Sequence, residues 1–459
     1  MTIAEKLAAY ALSVRYSDLD RATIGQLKLR LVDALGCGLG AFNEEPVAIA
    51  RRVALAEPGE ESTVLGTAAK TSAELAAFVN GLMVRYFDFN DTYLSKEPAH
   101  PSDNLGACLA VAEGEGASGR ELLAAAAVAY EIQCRLCDAA DIRHRGWDHV
   151  NYGLVSSSLA ASTLMKLDVR KATQAVNIAL NGHIAMRQVR AGELSMWKGA
   201  SFSNAARNGV FAALLAREGM TGPAPIFEGE MGFFRQVSGD FSLNVSRFGG
   251  RRGGYKVNET YIKYWPAEYH AQSAIWAALE ARKHVRDMGR VSSVLVETHE
   301  AGYTILGKDR EKWTPKTRET ADHSLPYMVG MALLHGVVDN STYSERNLTD
   351  PKNLDFVRRV RVIEDRQFTA LYPGRGMANR VTVTEAGGRE TTAEVVVPKG
   401  HPLNPMTKED IEAKFLRLTA GRLGEPGAKE ALSGLWALEK ERDLSQLLAL
   451  LRVERGSKA

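Results

Sequence analysis

Repeated helix-start signals, each followed by a segment rich in alanine and leucine, constrain this fold more than any other sequence feature. A Ser or Thr three residues before a Glu, the capping-box pattern, opens such segments at Thr2–Glu5, Thr71–Glu74 and Ser118–Glu121. Apolar residues then recur at spacings of three and four, as over Leu122–Tyr130 and again over Phe202–Arg217. The first half of the chain is therefore predicted to form an all-α domain.

The second half carries a different pattern, which begins after the glycine-rich segment Phe248–Tyr255, a predicted hinge or linker. Apolar runs typical of strands occur at Val291–Thr298, Val357–Ile363, Val381–Thr384 and Ala393–Val397. Gly387 and Gly388 separate the last two runs and predict a hairpin turn. Helical stretches are predicted at Ala271–Lys283 and Pro326–His335. Together these segments predict a smaller α+β domain.

Helical patterning returns after Pro398. Thr407–Asp410 resembles a capping start and leads into Ile411–Leu418, and a final helix is predicted over Glu439–Arg452. A chain of 459 residues is also too long for one comfortable hydrophobic core. We therefore predict a mainly α fold, in which an α+β lid domain is inserted into a discontinuous all-α domain. The predicted bounds are residues 1–257 and 400–459 for the all-α domain and 258–399 for the lid.

The composition argues against several classes of function. A formal net charge of +2 is close to neutral, so no nucleic-acid partner is expected. The N-terminus lacks the order of a signal peptide and no run of about 18 apolar residues occurs, so no membrane partner is expected. Four cysteines do not suggest a disulfide framework, and the Cys134–Cys137 pair lies in an apolar helical run where packing is the simpler interpretation. A cytoplasmic location is the simplest setting.

The densest polar segment lies between residues 85 and 104. Arg85, Asp88 and Thr92 follow one another at spacings of three and four, so a helix end could present them on one side. His100 lies between two prolines, which predicts a positioned loop of the kind that holds functional groups. The alternative interpretation is a helix C-terminus with solvated charges and a surface histidine.

Two further segments of the first half hold candidate functional groups. His149 directly follows Asp148, and an adjacent carboxylate can fix the tautomer or raise the basicity of a histidine. Lys198 stands just before the predicted Phe202 helix, where it could meet a substrate anion. The ordinary alternatives are side chains that point apart and a solvated lysine.

The second half contributes two more segments. Lys263 is surrounded by aromatic residues, which would partly desolvate it and make proton transfer possible. Glu268 and His270 alternate after it, and they could face the same side of an extended chain. His323 and Tyr327 lie at a loop-to-helix entry. Aromatic packing with a solvated charge and a simple helix cap are the respective alternatives.

Motifs of several other enzyme classes do not occur. The chain has neither HExxH nor paired CxxC spacing for a metal, and neither a GxSxG elbow nor a Walker A loop. The glycine-rich segment also lacks the spacing of a dinucleotide fingerprint. We therefore expect no metal and no cofactor. The remaining His, Lys, Asp and Tyr side chains suit proton abstraction next to a carboxylate, and they suit metal hydrolysis or phosphoryl transfer poorly.

Several of these segments resemble the MmgE/PrpD family in order and spacing, over most of the chain. They are Asp33–Leu39, Asp88–Asn104, Trp147–Val150, Trp197–Ala200, Phe227–Phe234 and Lys263–His270. The resemblance implies a large helical domain, a smaller α+β lid, an active site between them, a homodimer and no metal. The family's activities include 2-methylcitrate dehydratase, citrate dehydratase, cis-aconitate decarboxylase and iminodisuccinate epimerase, all on small polycarboxylates.

The finer match favours the dehydratase branch of the family. The decarboxylase branch typically has a histidine where Glu268 stands and a second aspartate where Asn90 stands. The resemblance thus implies metal-independent dehydration of 2-methylcitrate to 2-methylaconitate, with citrate to cis-aconitate as a related reaction. The alternatives that stay open are a cis-aconitate decarboxylase, an iminodisuccinate-type epimerase, and a non-catalytic helical binding or scaffold homologue. The family's site residues would fall on Asp88, Thr92, His100, His149, Lys198, Lys263 and Tyr327.

This hypothesis gives the charged groups specific roles. Lys198 and Lys263, with Arg85 as a third cation, would stabilise the negative charge that proton loss builds on carboxylate oxygens. His100 and His149 would be the acid–base pair, with the order of their roles left open.

The remaining candidates would orient or bind. Asp88 would orient one histidine or raise its basicity, Thr92 would hydrogen-bond a substrate carboxylate, and Tyr327 would donate from the lid. Further substrate-binding candidates are Glu268, His270 and His323.

Overall fold

The computed structural model describes residues 1–453, and it confirms a mainly α fold with a small α+β part. The helices are α1 Ile3–Ala11, α2 Arg21–Gly40, α3 Glu45–Leu55, α4 Ala73–Tyr86, α5 Leu105–Gly114, α6 Gly119–Ala139, α7 Asn151–Leu164, α8 Val169–Gly182, α9 Trp197–Arg217, α10 Gln272–Arg282, α11 Glu300–Gly302, α12 Arg318–Ala321, α13 Leu325–His335, α14 Glu345–Thr349, α15 Pro351–Val357, α16 Arg366–Thr369, α17 Lys408–Trp436 and α18 Ser445–Leu450. The strands are β1 Ser62–Thr63, β2 Lys70–Thr71, β3 Val291–Thr298, β4 Val360–Glu364, β5 Asn379–Glu385 and β6 Glu390–Val395. No helix within residues 1–453 is long and apolar enough to cross a membrane.

Capping boxes begin three of the four helices for which the sequence predicts them. Thr2, Ser118 and Thr407 each accept the backbone N–H three residues on, and the carboxylate there accepts the N–H of the cap. The prediction at Thr71 is wrong. That residue lies in β2 paired with Ser62, and its hydroxyl donates to backbone carbonyls of the α3 end. The hydroxyl is therefore already used, and α4 begins one residue later.

Small residues let the helices of the first half approach closely. A Cβ added to Gly106 on α5 would lie 2.4 Å from the backbone nitrogen of Gly81 on α4, so these two helices touch through their backbones. Any larger residue at Gly106 would push α5 away from α4. This contact matters for function, because α4 ends at the candidate site and α5 begins beside it.

The lid contains a four-stranded sheet in the order β4-β3-β5-β6. β3 pairs parallel with β4, and the other two pairings are antiparallel. Gly387 and Gly388 turn between β5 and β6 with φ of +109° and +83°, which confirms the predicted hairpin. β4 begins at Val360, three residues later than predicted, because Pro351–Val357 forms α15.

Two large hydrophobic cores organise the described residues, and a small third cluster surrounds Tyr261, Tyr269 and Met377. The first combines the helices of the first half with α17 and α18, and the second combines α10 and α13 with the sheet. These cores support the proposed division into an all-α domain and a lid, except that Ile262 packs in the first core, beyond the proposed bound at residue 257. Residues 454–459 of the proposed all-α domain lie outside the described residues. The glycine-rich segment packs on the first core, since the Tyr10 hydroxyl donates to the Gly249 carbonyl and Glu131 accepts the Gly249 N–H.

The C-terminal helix differs from its prediction over Glu439–Arg452. The chain forms a single 3₁₀ turn at Leu438–Lys440, and α18 starts only at Ser445. Glu441 is extended between them because its carbonyl accepts the Gly119 N–H. Tertiary pairing therefore prevents a continuous helix here.

Candidate active site

Asp88 is the centre of a buried charged cluster. It follows the end of α4 with φ of +50°, a left-handed conformation that is costly for a non-glycine residue. Arg85 Nη1 lies 2.5 Å from its Oδ1, the Lys263 ammonium also contacts Oδ1, and Lys198 Nζ lies 3.2 Å from Oδ2. Burial would raise the pKa of Asp88, but the charges of Arg85, Lys263 and Lys198 hold that pKa well below its usual range. Asp88 is therefore an anion held by three cations.

Lys198 links the all-α part to the lid. It lies in the first turn of α9, which begins five residues earlier than predicted. Its Nζ lies 2.7 Å from Asp322 Oδ1 and 3.1 Å from His323 Nδ1, in addition to Asp88. Ligand atoms of Asp88, Asp322 and His323 lie within 4.8 Å of one another, as a metal site would require. The Lys198 ammonium already lies where these three groups converge, so a metal ion would have to displace it.

The two predicted acid–base histidines lie beside each other. Their ring centroids are 5.8 Å apart in an edge-on arrangement. His100 Nδ1 is 2.8 Å from the Asp91 carbonyl, and His149 Nδ1 is 2.9 Å from Asp148 Oδ1. Because both of these oxygens accept, each Nδ1 carries the hydrogen and each Nε2 has the free lone pair. His149 Nε2 is buried and has no hydrogen-bond partner within residues 1–453.

Burial and nearby positive charges keep the imidazole rings of His100 and His149 neutral. Burial lowers the pKa of His100 well below its usual value, and the nearby charges of Arg85 and Lys263 lower it further. Burial also lowers the pKa of His149, although Asp148 partly opposes that shift. Both histidines are therefore bases without a proton on Nε2 at neutral pH.

Arg85 is held from two sides. Its Nη1 pairs with Asp88, and its Nε lies 3.6 Å from Asp103 Oδ2. Asn90 fixes Asp103 by donating to its Oδ1 at 2.6 Å. Burial would lower the pKa of Arg85, but Asp88 and Asp103 outweigh that effect and raise it. Arg85 is thus a fixed source of positive charge for the cluster.

The lid contributes Lys263, Glu268, His270 and His323. The Lys263 ammonium is fully buried and also donates to the Asp88 carbonyl at 2.9 Å. Burial lowers the pKa of Lys263, and Asp88 partly opposes this. Glu268 pairs with His270 Nδ1 at 2.7 Å, and the charge of His270 overcomes burial to lower the pKa of Glu268 to about 2. These groups extend the cluster into the lid.

Two predicted residues have their hydroxyls engaged elsewhere. The Tyr327 hydroxyl donates to the Thr342 carbonyl, and its ring packs in the lid core. The Thr92 hydroxyl donates to the Ala99 carbonyl at 3.0 Å, within the loop that precedes His100. Within residues 1–453, neither hydroxyl is hydrogen-bonded to Asp88, and the roles of both residues stay predictions.

Four residues outside the predicted catalytic and binding set also lie at the site: Asp148, Asp322, Arg190 and Tyr343. Asp148 and Asp322 each directly precede a histidine of the site. The sequence predicts that Asp148 orients His149, and the same Asp-His pair is the signal that points to Asp322. Arg190 Nε lies 3.0 Å from Asp148 Oδ2 and belongs to no sequence pattern. The Tyr343 hydroxyl is buried and has no hydrogen-bond partner within the described chain. Burial raises the pKa of Tyr343, and the negative charge of Asp322 raises it further.

A cleft of about 1030 Å³ opens beside this cluster. Tyr86 lines it on the α side, and Arg318 and Tyr343 line it on the lid side. The cleft borders the chain segments that carry the Lys198–Asp322 ion pair. The cluster itself is closed, since Asp88 and Lys198 are 1% and 2% exposed.

Comparison with known proteins identifies the class. The MmgE/PrpD N-terminal domain family matches residues 5–246, and the MmgE/PrpD C-terminal domain family matches residues 265–439. This chain belongs to the MmgE/PrpD family, as the motifs indicate.

Individual relatives share most of the chain. It is 33% identical to a 2-methylcitrate dehydratase of Cupriavidus necator, over 88% of this chain and 87% of that protein. It is 32% identical to a 2-methylcitrate dehydratase of Escherichia coli K12, over 81% of this chain and 80% of that protein. A mitochondrial 2-methylcitrate dehydratase of Yarrowia lipolytica is 28% identical, with 88% and 82% covered.

Proposed function

We propose that this protein is a hydro-lyase that converts 2-methylcitrate to 2-methylaconitate and water without a metal. The observation that carries the proposal is the buried anion Asp88, held by Arg85, Lys198 and Lys263 beside two neutral histidines. The names and coverage of the relatives support the same reaction. The reaction breaks one C–H bond and one C–O bond, forms a C=C bond, and releases water.

Lys198 and Lys263 can stabilise the negative charge that makes this elimination energetically difficult. Removing a proton next to a carboxylate places additional negative charge on oxygens that are already anionic. Fixed cations in a water-poor site stabilise such charge most strongly. Lys198 and Lys263 are buried and held at Asp88, so the cations are in place before the substrate arrives. Arg85, which also pairs with Asp88, adds a third positive charge to the cluster.

His149 is the better candidate for the base. Its Nε2 lone pair is free, and Asp148 lies where it stabilises the imidazolium that forms after proton uptake. His100 has a carbonyl rather than a carboxylate at Nδ1, so it gains less on protonation. In a syn elimination the same ring returns the collected proton to the departing hydroxide, and water is released. An anti elimination would need His100 to carry a proton of its own on Nε2, and the proton taken by His149 would then pass to solvent.

The donor geometry supports a metal-free reaction. Asp88, Asp322 and His323 converge on the ammonium of Lys198, which supplies the positive charge that a metal would otherwise bring. Coulomb repulsion from Arg85 and this ammonium also raises the cost of a divalent cation at the same place.

Product analysis tests the proposal. The purified protein is incubated in parallel with 2-methylcitrate, citrate and cis-aconitate, and products are identified by mass spectrometry. We expect loss of water from 2-methylcitrate, with slower loss from citrate. Carbon dioxide release from cis-aconitate without any dehydration would assign the decarboxylase activity instead. Epimerisation of 2-methylcitrate without loss of water, resolved by chiral chromatography, would assign an epimerase. No reaction on any substrate would favour a binding homologue.

We further propose that the protein acts as a homodimer in the cytoplasm. The homodimer rests on the family resemblance, and light scattering on the purified chain tests it by mass. The cytoplasmic setting is supported by four free, buried cysteines, which suit a reducing compartment. Cell fractionation with an antibody to the chain tests the location, and recovery in a membrane or secreted fraction would overturn it.

A further inference from the structure

We propose that Lys414 and Asp33 are positioning residues, whose buried ion pair holds together the two chain segments that carry Asp88 and Lys263. The proposal rests on the proposed function for its substrate. Neither residue belongs to the candidate site described above, and Asp33 belongs to a family-like motif for which the cluster gives no role.

Lys414 contacts the backbone of both segments. Its Nζ donates to the Phe89 carbonyl at 2.7 Å and to the Lys263 carbonyl at 3.0 Å. Phe89 is the residue directly after Asp88. The third contact of the ammonium is Asp33 Oδ1 at 2.6 Å. The segments are therefore joined on one side by the Lys263 ammonium and on the other side by the Lys414 ammonium.

The packing of α17 against α2 positions the Lys414 ammonium at the Phe89 and Lys263 carbonyls. Lys414 and Asp33 are each 2% exposed, on α17 and α2 respectively. A Cβ on Gly36 would lie 3.0 Å from the Phe415 ring, so the missing side chain lets the two helices meet closely. The motif Asp33–Leu39 thus supplies both the anion and the close approach.

The location of the pair argues for more than stability. Burying two charges costs several kcal/mol per ion, and apolar residues of similar size often serve stability as well or better. What apolar residues cannot supply is a pair of N–H donors aimed at two particular carbonyls. A misplacement of about 1 Å at reacting groups can cost about a hundredfold in rate. The pair therefore acts by fixing the distance between the Asp88 and Lys263 segments.

The test compares variants that separate charge burial from positioning. Lys414→Met alone leaves Asp33 as an unpaired buried anion, so the informative variant is the double Asp33→Asn, Lys414→Met. Lys28→Met is the matched control, because Lys28 also joins α2 to the C-terminal region, through Glu439 at 2.6 Å. Lys414→Arg tests rescue by a charged donor. Each purified variant is checked by thermal unfolding, and its kcat and KM for 2-methylcitrate are measured.

We expect the double variant to recover much of the thermal stability that Lys414→Met loses, while its kcat stays about a hundredfold low and its KM changes less than about threefold. Lys414→Arg should restore part of kcat, and Lys28→Met should retain nearly all of it. Recovery of kcat together with stability in the double variant would show that the pair is only structural, and would overturn the proposal.

A second readout does not depend on turnover. In a crystal structure of the double variant, we expect Lys263 Nζ to leave the Asp88 carbonyl, from which it is now 2.9 Å. An unchanged distance would overturn the proposal whatever the activity. If the unmodified protein fails to act on 2-methylcitrate, the proposed function fails, and this structural comparison still decides the role of the pair.

Discussion

His149 Nδ1 lies 2.9 Å from Asp148 Oδ1, and its Nε2 is buried without a hydrogen-bond partner within residues 1–453. The ring centroids of His149 and His100 are 5.8 Å apart. A neutral imidazole that is oriented by a carboxylate and has a free Nε2 is the arrangement a general base requires. His100 is oriented similarly, but by a carbonyl oxygen. This difference between the partners predicts different consequences for the two rings.

Removing either histidine should reduce turnover more than folding. We expect His149→Ala and His100→Ala each to lower kcat/KM by about 10²–10⁴-fold, the usual contribution of general acid–base catalysis, with the larger loss for His149. Steady-state kinetics and circular dichroism measure the two effects. His284→Ala is the matched control, since the side chain of His284 is 66% exposed in the lid. Near-normal turnover in His100→Ala would refute its role.

Replacing Asp148 should change the pH dependence of the reaction. The carboxylate of Asp148 opposes the lowering of the His149 pKa by burial, so Asp148→Asn should let that pKa fall further. The base form of His149 would then persist to lower pH, and the acidic limb of the kcat/KM profile should move downward in pH. The plateau should fall as well, because the imidazolium loses its partner. An acidic limb that does not move would exclude His149 as the titrating base.

Acidification should lower the stability of the protein through His323 at a higher pH than through Asp88. Burial and then Lys198 lower the pKa of His323 to about 4, although Asp322 opposes them, whereas an unfolded histidine titrates at about 6.5. The unfolded state therefore takes up this proton first, and the contribution of His323 to the free energy of unfolding falls as pH drops from about 6.5 to about 4. Asp103, whose pKa burial raises to about 7, contributes in the opposite direction between about pH 7 and 3.9. The depressed pKa of Asp88 acts at lower pH, from about pH 5 downward, as an unfolded aspartate with a pKa of about 3.9 takes up its proton.

Urea unfolding at several pH values checks this window. His323→Gln removes the titrating group, so the loss of stability between about pH 6.5 and 4 should be shallower than in the unmodified protein. His284→Gln, at the exposed lid position, should leave the slope unchanged. Identical slopes for all three proteins would show that His323 does not contribute to acid sensitivity.

Removing the Lys198 ammonium should abolish most of the charge stabilisation. We expect Lys198→Met to lower kcat by about 10²–10³-fold, the range found when one preorganised donor is lost. Lys198→Arg should not restore it, because a guanidinium does not fit among Asp88, Asp322 and His323 as a compact ammonium does. Lys171→Met is a control, since Lys171 donates to the Arg217 carbonyl on the α8–α9 side. A kcat within a factor of about three of normal would contradict the role of Lys198.

Local sequence signals predicted local structure well. The capping residues Thr2, Ser118 and Thr407 act within one turn of their own helices, so their roles are readable from the chain. Thr71 fits the same pattern but is held by β2 and by carbonyls of α3, which are tertiary contacts. The late start of α18 also depends on a distant partner, the Gly119 N–H.

The sequence predicts candidate site residues, but it does not predict how their side chains are arranged. Asp88, Lys198 and Lys263 lie in separate segments, and only tertiary packing shows that both ammonium groups meet one carboxylate. Arg190 could not have been found, because its pairing with Asp148 has no counterpart in local spacing. The position of Asp148 directly before His149, in contrast, does predict the carboxylate that contacts this ring.

Metal-independent dehydration is tested most directly by incubating chelator-treated protein with 2-methylcitrate and following the absorbance of the enoate product. We predict a steady rise in absorbance at the same rate before and after chelation, and its near loss in Lys198→Met measured alongside. No rise with 2-methylcitrate, or a rise that disappears on chelation and returns with added divalent metal, would contradict the account.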